Sequence, residues 1–269
     1  MTDDSSASAR SAVNSAVSSA VAILPARFAS ERLPGKPLLD QTGKTLIQHV
    51  CERAQSCPAL ARVAVATDDR RIADAVHAFG GEAVMTSADH PNGTSRIAEA
   101  ADRLGLPDDA LVVNIQGDEP EIAPELIACL IQTLTDDPGA PVATVAAPLG
   151  PNDDPQDPNL VKAVVSRQGR ALYFSRSPIP HVRDAANTPS TDAASPCLKH
   201  VGVYAYRRTF LPVYVELEPT PLEQAEKLEQ LRVLEHGHAI AVGLHPADHQ
   251  GIDTPEQYAA FVRRQAARA

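Results

Sequence analysis

The feature that most constrains the fold of this chain is a regular alternation of short apolar runs with amphipathic helical patterns. Four apolar runs are each followed by a segment whose apolar residues recur at helical spacing, and a fifth run follows the last of these segments. This alternation predicts an α/β fold with a doubly wound, mostly parallel sheet. The predicted strands are 21–26, 63–67, 82–86, 110–116 and 141–149, and the helices are 45–56, 68–80, 93–105 and 124–134.

The pattern changes after residue 149, where a Pro-, Asp- and Asn-rich break begins. The next apolar runs lack long intervening helices, so we expect their strands to pair antiparallel. Residues 178–197 have the composition of a long mobile loop. The strands of this segment are predicted at 161–166, 171–175 and 200–208.

Helix and strand patterns return towards the C-terminus. The predicted elements are a helix at 223–237, a strand at 239–245 and a closing helix with Thr254 as its N-cap. We therefore predict a single α/β domain over 21–269, with a smaller mixed-β inserted lobe at about 150–220. Residues 1–20 are rich in Ser and Ala and start acidic, which is typical of a disordered tail and not of a secretory signal.

The composition argues against several classes of function. The formal net charge is −10, aromatic residues make up 4% and Trp is absent, so neither a basic nucleic-acid-binding face nor a base-stacking surface is expected. No apolar run reaches the roughly 18 residues that a membrane span needs. The four cysteines contain no C-x-x-C pair, which favours buried thiols in a reducing compartment. We expect a cytoplasmic protein that binds neither nucleic acid nor membranes.

The loop after the first predicted strand carries the densest set of chemically informative residues. Arg27, Arg32 and Lys36 lie close together there, and Gly35 precedes the lysine. Open α/β sheets bind ligands at the carboxyl ends of their strands, and three cations at that place can neutralise much of a triphosphate. The segment is neither a Walker A loop nor a dinucleotide fingerprint. Taken alone, it fits a solvated basic loop equally well.

Two aspartates are candidate ligands for a divalent cation. Asp118 and Glu119 follow an apolar strand and stand directly after Gly117, which permits a close approach of the backbone. Asp253 precedes the closing helix, where an ordinary cap or turn aspartate is the simpler interpretation. Mg²⁺ usually takes one or two carboxylates besides phosphate oxygens, and Asp118 with Asp253 meets that requirement.

Eight segments reveal a resemblance to a known family. They occur in the order PARFASERLPGKPL, ATDD, DHPNGTSR, VNIQGDEP, LYFSRSPIP, KHVGVYAYR, LEQLRVLE and GIDTPEQY. From about residue 20 to the C-terminal helix, the chain resembles the 3-deoxy-manno-octulosonate cytidylyltransferases, which have the nucleotide-diphospho-sugar transferase type of fold. Members of that family couple the acidic sugar 3-deoxy-D-manno-octulosonate (KDO) to CTP. They release pyrophosphate and make CMP-KDO for lipopolysaccharide biosynthesis.

The resemblance implies a magnesium-dependent KDO cytidylyltransferase that forms a homodimer. The phosphates of CTP would be bound by Arg27, Arg32 and Lys36, and magnesium by Asp118 and Asp253. Of these residues, Arg32, Lys36 and Asp118 would be catalytic. The residues beside the cytosine would be Ala66, Thr67 and Asp68.

The resemblance also implies a sugar pocket, lined by Arg96, Gln116, His200, Tyr204, Glu229 and Gln230. Simpler interpretations remain open for the side chains themselves. Arg96 fits an exposed helical arginine paired with Glu99. His200 and Tyr204 lie on one side of a strand together with Gly202 and fit a polar sheet surface. Glu229 and Gln230 fit a solvated helix face. Ser95 departs from the family motif, in which Glu often stands at that place.

Two alternative functions compete with this hypothesis. The CMP-sialic acid synthetases resemble the first-strand loop, but the segments HVGVYAYR and GIDTPEQY favour KDO. A nucleotide-binding regulator without catalysis is the other alternative, and the presence of every expected metal and phosphate residue argues against it. No residue is assigned as a general base.

Overall fold

The structure of the protein is a computed structural model, in which the described residues are 20–29, 32–151, 153–181, 183, 197–247 and 251–268. The predicted tail lies outside these residues except for Ala20, which begins the first strand. Most of the predicted mobile loop at 178–197 also lies outside them.

Nine strands form one mixed sheet within the described part of the chain. They are β1 (Ala20–Ala26), β2 (Arg62–Thr67), β3 (Glu82–Met85), β4 (Leu111–Asn114), β5 (Val142–Pro148), β6 (Lys162–Val165), β7 (Ala171–Ser175), β8 (Leu198–Arg207) and β9 (Ile240–Leu244). The main path runs β3-β2-β1-β4-β8-β5-β9, with β6 and β7 attached at one side. Pairs β1–β2, β2–β3, β1–β4 and β5–β9 are parallel, so the predicted mostly parallel α/β fold is confirmed.

Eight α-helices connect these strands in the same described ranges. They are α1 (Leu46–Gln55), α2 (Arg70–Ala78), α3 (Gly93–Arg103), α4 (Pro124–Asp136), α5 (Phe210–Glu216), α6 (Pro221–Glu226), α7 (Gln230–Glu235) and α8 (Pro255–Ala266). A short 3-10 helix covers Lys36–Leu38. None of the helices described combines the length and apolarity needed to cross a bilayer.

Two hydrophobic cores cover the two faces of the sheet, as a doubly wound fold requires. Alternate residues of β1 point into different cores: Leu24 packs with α1, α2 and α4, whereas Ile23 packs with α3, α5 and α7. Helix α8 packs by Tyr258 and Phe261 against Leu46, at the start of α1. The sheet is therefore buried on both faces, and its strand ends are left as the place for a site.

Strand β8 joins the segment at 150–220 to the main sheet. Its first residues pair with β6, while its later residues lie between β4 and β5 and run antiparallel to both. The hairpin β6–β7 is antiparallel, as predicted for this segment. One continuous strand thus belongs to both the hairpin and the centre of the sheet.

The helices of the structure differ from the predicted ones in two places. The single helix predicted at 223–237 is two helices, α6 and α7, because Lys227 adopts a left-handed conformation with φ of 54° and ends α6. Glu226, just before this break, accepts hydrogen bonds from the Ser175 hydroxyl and the Arg176 backbone instead of facing solvent. Helix α5 was not predicted, and its segment FLPVYVE contains a proline. That proline lies in the first turn, where a helix tolerates it.

The start of α8 provides a test of how this region is held. The Thr254 side chain accepts a hydrogen bond from the Gln257 backbone N–H (3.3 Å), and the Gln257 side chain accepts from the backbone N–H of Thr254 (2.9 Å). We expect Thr254→Ala to lower the free energy of unfolding by about 1 kcal/mol, measured by urea denaturation. Thr254→Ser should retain most of the stability. An unchanged midpoint in the alanine variant would contradict the capping role.

Candidate active site

The loop after β1 is closed by a backbone hydrogen bond. Gly35 donates from its N–H to the carbonyl of Phe28 (3.1 Å) and takes a left-handed conformation with φ of 67°. A side chain at this position would be strained, and its Cβ would lie 3.3 Å from the Phe28 ring. The turn leads directly into the 3-10 helix, which places Lys36 beside the carboxyl end of β1.

Lys36 links the two predicted metal ligands. Its Nζ donates to Asp118 Oδ2 at 2.7 Å and to Asp253 Oδ1 at 3.0 Å. Arg32 Nη2 lies 2.9 Å from Asp253 Oδ2. The structure therefore brings together a cation-rich loop and two aspartates that are far apart in the sequence, as predicted.

Backbone contacts explain why the two aspartates meet. Ile252 donates from its N–H to the carbonyl of Asp118 (2.9 Å), which joins the segment before α8 to the loop after β4. A Cβ at Gly117 would lie 3.0 Å from the Pro25 carbonyl oxygen, so the close approach of this loop to β1 favours glycine there. Asp253 is not the helix cap, because Thr254 fills that role, and its carboxylate is left to face Lys36.

The local charges shift the pKa values of two residues. Burial disfavours the charged form of Lys36, but the adjacent carboxylates of Asp118 and Asp253 outweigh that effect and raise the pKa of the lysine. Removal from water, together with the same two carboxylates, raises the pKa of Glu119 to about 8, while Lys36 partly opposes the shift. The site therefore holds a charged lysine beside a carboxyl whose pKa lies above neutral.

A cleft of about 240 Å³ opens beside this cluster, lined among others by Arg27, Lys36, Gln116 and Asp118. Arg27 is exposed and donates from Nη2 to the His90 carbonyl at 3.1 Å. All three predicted phosphate-binding cations thus lie at the carboxyl end of β1.

The end of β2 lies next to the end of β1. In the parallel register Pro25 pairs with Ala66 and Ala26 pairs with Thr67, so the predicted cytosine-side residues border the same edge of the sheet. Ala66 and Thr67 are fully buried. Asp68, the next residue, turns its carboxylate towards helix α3.

Arg96 occupies a place that the sequence did not predict. Its side chain is fully buried, its Nη1 donates to Thr86 Oγ1 at 2.6 Å, and its Nη2 lies 3.1 Å from Asp68 Oδ2. Glu99, its expected surface partner, instead contacts His90 and Arg103. Arg96 therefore does not line the predicted sugar pocket. It lies on the inward face of α3, where it holds Asp68 at the end of β2.

The other five residues of the predicted sugar pocket do come together. They line one cavity of about 340 Å³, whose walls include Gln116, His200, Tyr204, Glu229 and Gln230. Gly202 lines it too, as expected from the alternation along β8. This cavity and the cleft beside Lys36 share Gly93 and Gln116 as lining residues, so the two spaces adjoin.

The walls of the cavity supply several polar groups. The His200 ring makes a 2.9 Å hydrogen bond through Nε2 to Thr144 Oγ1, and burial lowers its pKa to about 3. The Tyr214 hydroxyl donates to Glu229 Oε2 at 3.3 Å. Partial removal of the carboxyl from water raises the pKa of Glu229, although the hydrogen bond from Tyr214 and the charge of Arg232 oppose the shift. The histidine is neutral at physiological pH and is suited to hydrogen bonding.

Sequence reasoning missed several cavity residues, of which Asn114 is the most informative. It is 2% exposed, and its Oδ1 has no hydrogen-bond partner among the described residues. The Nε2 of Gln230 is also buried without a partner in that part of the chain. Buried polar atoms are nearly always paired, so two such atoms on one cavity are ready to bind a polar ligand. An asparagine inside the apolar run LVVNI was the available signal.

The carboxylates of Asp118 and Asp253 face a common space. Oxygens of Asp118 and Asp253 converge on one cation, the Lys36 ammonium, so the same oxygens can approach a shared divalent ion. The described residues contain no cluster of three or more His, Cys, Asp or Glu side chains that could hold a metal. Two carboxylates with open positions fit Mg²⁺ bound jointly with phosphate oxygens.

Comparison with known proteins gives the family. The cytidylyltransferase family matches residues 21–240. The chain is 52% identical to a 3-deoxy-manno-octulosonate cytidylyltransferase of Syntrophobacter fumaroxidans, over 90% of this chain and 95% of the relative. It is 49% identical to one of Syntrophotalea carbinolica, over 88% and 95%. The chain belongs to the 3-deoxy-manno-octulosonate cytidylyltransferase family.

A solved structure extends the family likeness to three dimensions. A CMP:2-keto-3-deoxy-manno-octonic acid synthetase in complex with CTP superimposes with a TM-score of 0.85 at 45% identity, covering 93% of this chain and 99% of that one. The chain therefore shares its sheet and helices with a protein whose structure was solved in complex with CTP.

The raised pKa of Glu119 gives a pH-dependent prediction for metal-free protein. In the unfolded chain this carboxyl ionises near its ordinary pKa of about 4.3, whereas in the folded protein the pKa is about 8. Ionisation therefore favours unfolding, and the contribution of Glu119 to stability falls as the pH rises between these values. We expect Glu119→Gln to be more stable than the wild type at about pH 8.5, with a smaller difference at about pH 5. Urea denaturation with a chelator tests this, and a difference that does not grow with pH would refute it.

Proposed function

We propose that this protein is a 3-deoxy-manno-octulosonate cytidylyltransferase, which couples KDO to CTP with release of pyrophosphate and so activates the sugar for lipopolysaccharide biosynthesis. The observation that carries the proposal is the meeting of two spaces at Gln116 and Gly93. One contains cations and aspartates suited to a metal triphosphate. The other is aromatic and polar, and is suited to a sugar. Relatives of that name at 49–52% identity support the same activity.

The phosphate side of the site is supplied by the loop after β1. Arg27, Arg32 and Lys36 would bind the triphosphate, where guanidinium groups can contact phosphate oxygens in pairs. Without a ligand, Lys36 and Arg32 are held by aspartates, and Arg27 by a backbone carbonyl. When CTP binds, these cations would exchange those contacts for phosphate oxygens and neutralise the negative charge of the departing pyrophosphate.

Magnesium would be held by Asp118 and Asp253. A bound Mg²⁺ would polarise phosphate oxygens and favour the ionised form of a nearby hydroxyl. Lys36 would then release the two carboxylates and move towards the phosphates, so the net charge around the aspartates stays balanced. Gly251 and Gly117 leave room for the loops that carry these ligands.

The sugar side would bind KDO between β8 and the turn that joins α6 to α7. His200, Tyr204 and Gln230 would hydrogen-bond to sugar hydroxyls, with Asn114 adding an acceptor from β4. Gln116 lies at the junction and would position the anomeric hydroxyl for in-line attack on the α-phosphate. The new bond joins that oxygen to phosphorus, and the bond from the α-phosphate to pyrophosphate breaks. We also propose a cytoplasmic location and a homodimer, in keeping with the composition and the family.

A direct assay tests the substrate assignment. Purified protein with Mg²⁺ and CTP should release pyrophosphate when KDO is added. It should release much less with a sialic acid of the same charge, because the relatives at 49–52% identity are named for KDO. ATP, GTP and UTP serve as nucleotide controls. Equal rates with KDO and sialic acid would contradict the sugar assignment, and no release with any sugar would contradict catalysis.

Asp118→Ala tests the metal assignment. We expect kcat to fall at least about 100-fold while the protein stays folded, because a ligand of the metal is lost and only Asp253 remains to hold it. Asp109→Asn is a matched control, since it removes an exposed carboxylate just before β4. Circular dichroism and thermal denaturation check the fold. A near-normal rate in Asp118→Ala would show that this residue does not bind the metal.

A further inference from the structure

The pairing of β5 with β8 contains an irregularity at Thr144. Thr144 pairs with Tyr204, but the next residue, Val145, pairs with Val201, so Gly202 and Val203 bulge out of the ladder. A bulge redirects the side chains beside it. Here it lies between His200 and Tyr204, the two rings of β8 that line the larger cavity.

The Thr144 side chain fills the bulge with three polar contacts. Its Oγ1 lies 2.8 Å from the carbonyl oxygen of Val203, 3.2 Å from that of Val201 and 2.9 Å from Nε2 of His200. Thr144 is fully buried, so water does not compete for these contacts. A threonine hydroxyl has one proton to donate, and carbonyl oxygens can only accept. The hydroxyl proton therefore goes to a carbonyl, and towards His200 the oxygen acts as an acceptor.

This arrangement fixes the tautomer of His200. Nε2 must carry a proton in order to donate to Thr144. Burial lowers the pKa of the ring to about 3, so the ring is neutral and its second nitrogen, Nδ1, carries no proton. Nδ1 has no hydrogen-bond partner among the residues that the structure describes, although the ring borders the cavity. Phe174 makes an edge contact with the ring, with centroids 4.8 Å apart, and Tyr204 lies tilted to it at 5.5 Å between centroids, so both rings hold His200 in place.

We propose that Thr144 is a positioning residue that holds His200 as the Nε2–H tautomer and thereby presents Nδ1 as an acceptor to a hydroxyl of the acid sugar. Thr144 reaches the substrate only through His200. The inference rests on the proposed function for the identity of the ligand, whereas the tautomer is a property of the free protein. A sugar with several hydroxyl groups can supply the donor that Nδ1 needs.

Nitrogen-15 NMR of the free protein tests the tautomer without any substrate. Labelled histidine, assigned by comparison with His200→Gln, should show a protonated Nε2 and an unprotonated Nδ1 at neutral pH. In Thr144→Val the acceptor for Nε2–H is gone, so the signals should shift towards a mixture of tautomers. Thr144→Ser keeps the hydroxyl and should give the wild-type pattern. A protonated Nδ1 in the wild type, or an unchanged pattern in Thr144→Val, would overturn the proposal.

Steady-state kinetics test the consequence for binding. We expect Thr144→Val to raise KM for KDO about threefold to tenfold and to leave KM for CTP unchanged, the size expected for one neutral hydrogen bond. Thr144→Ser should restore the wild-type KM. Thr135→Val is the matched control, because the Thr135 hydroxyl donates to the Ile131 carbonyl on α4 and does not line the cavity. Equal increases in both KM values would overturn the proposal in favour of a general structural role.

His200→Gln separates the tautomer from the shape of the bulge. Glutamine can still donate to Thr144 from its amide nitrogen, but it has no acceptor at the Nδ1 position. We expect a rise in KM for KDO like that of Thr144→Val, and a double variant no worse than either single one. A wild-type KM in His200→Gln would overturn the inference even if Thr144→Val fails to fold. Absence of turnover with KDO in the wild type would instead refute the proposed function, and the NMR result would still decide the tautomer.

Discussion

The site depends on one shared cation. Two carboxylates that point at a common space repel each other unless a positive charge lies between them, and Lys36 supplies that charge in the ligand-free protein. The hydrogen bond from Ile252 to the Asp118 carbonyl keeps the two acidic segments in register. Burial, together with the same two negative charges, raises the pKa of Glu119 to about 8. Any cation that replaces the ammonium must therefore match two carboxylates already held in position.

The two halves of the sheet contribute different residues to the site. The parallel strands end in loops that carry the cations and Asp118, as is general for open α/β sheets. Antiparallel β8 enters between β4 and β5 and brings His200 and Tyr204 to the opposite wall. Gln116, after β4, stands between these halves. A mixed sheet thus allows a space lined by cations and a carboxylate to adjoin one lined by aromatic and polar side chains.

Much of the fold was predictable because periodicity reports directly on burial. The alternating runs up to residue 149 predicted the strands and helices of the parallel half. The choice of Asp118 and Asp253 as partners in one site came from the motifs and from the chemistry of carboxylates together. The departures have tertiary causes. Arg96 is buried because Asp68 and Thr86 receive it, the helix at 223–237 breaks because Lys227 turns left-handed, and the bulge at Thr144 depends on partners in another strand. No local pattern encodes these contacts.

The hydrogen bond between Lys36 and Asp253 joins positions 217 residues apart. Closing so long a segment carries an entropic cost, which the intervening sheet offsets by bringing its two ends together. A chain with its parallel strands assembled but α8 still undocked would have the cations of the first-strand loop without the carboxylate of Asp253. The two acidic segments therefore meet at Lys36 only in a chain whose C-terminal helix is docked.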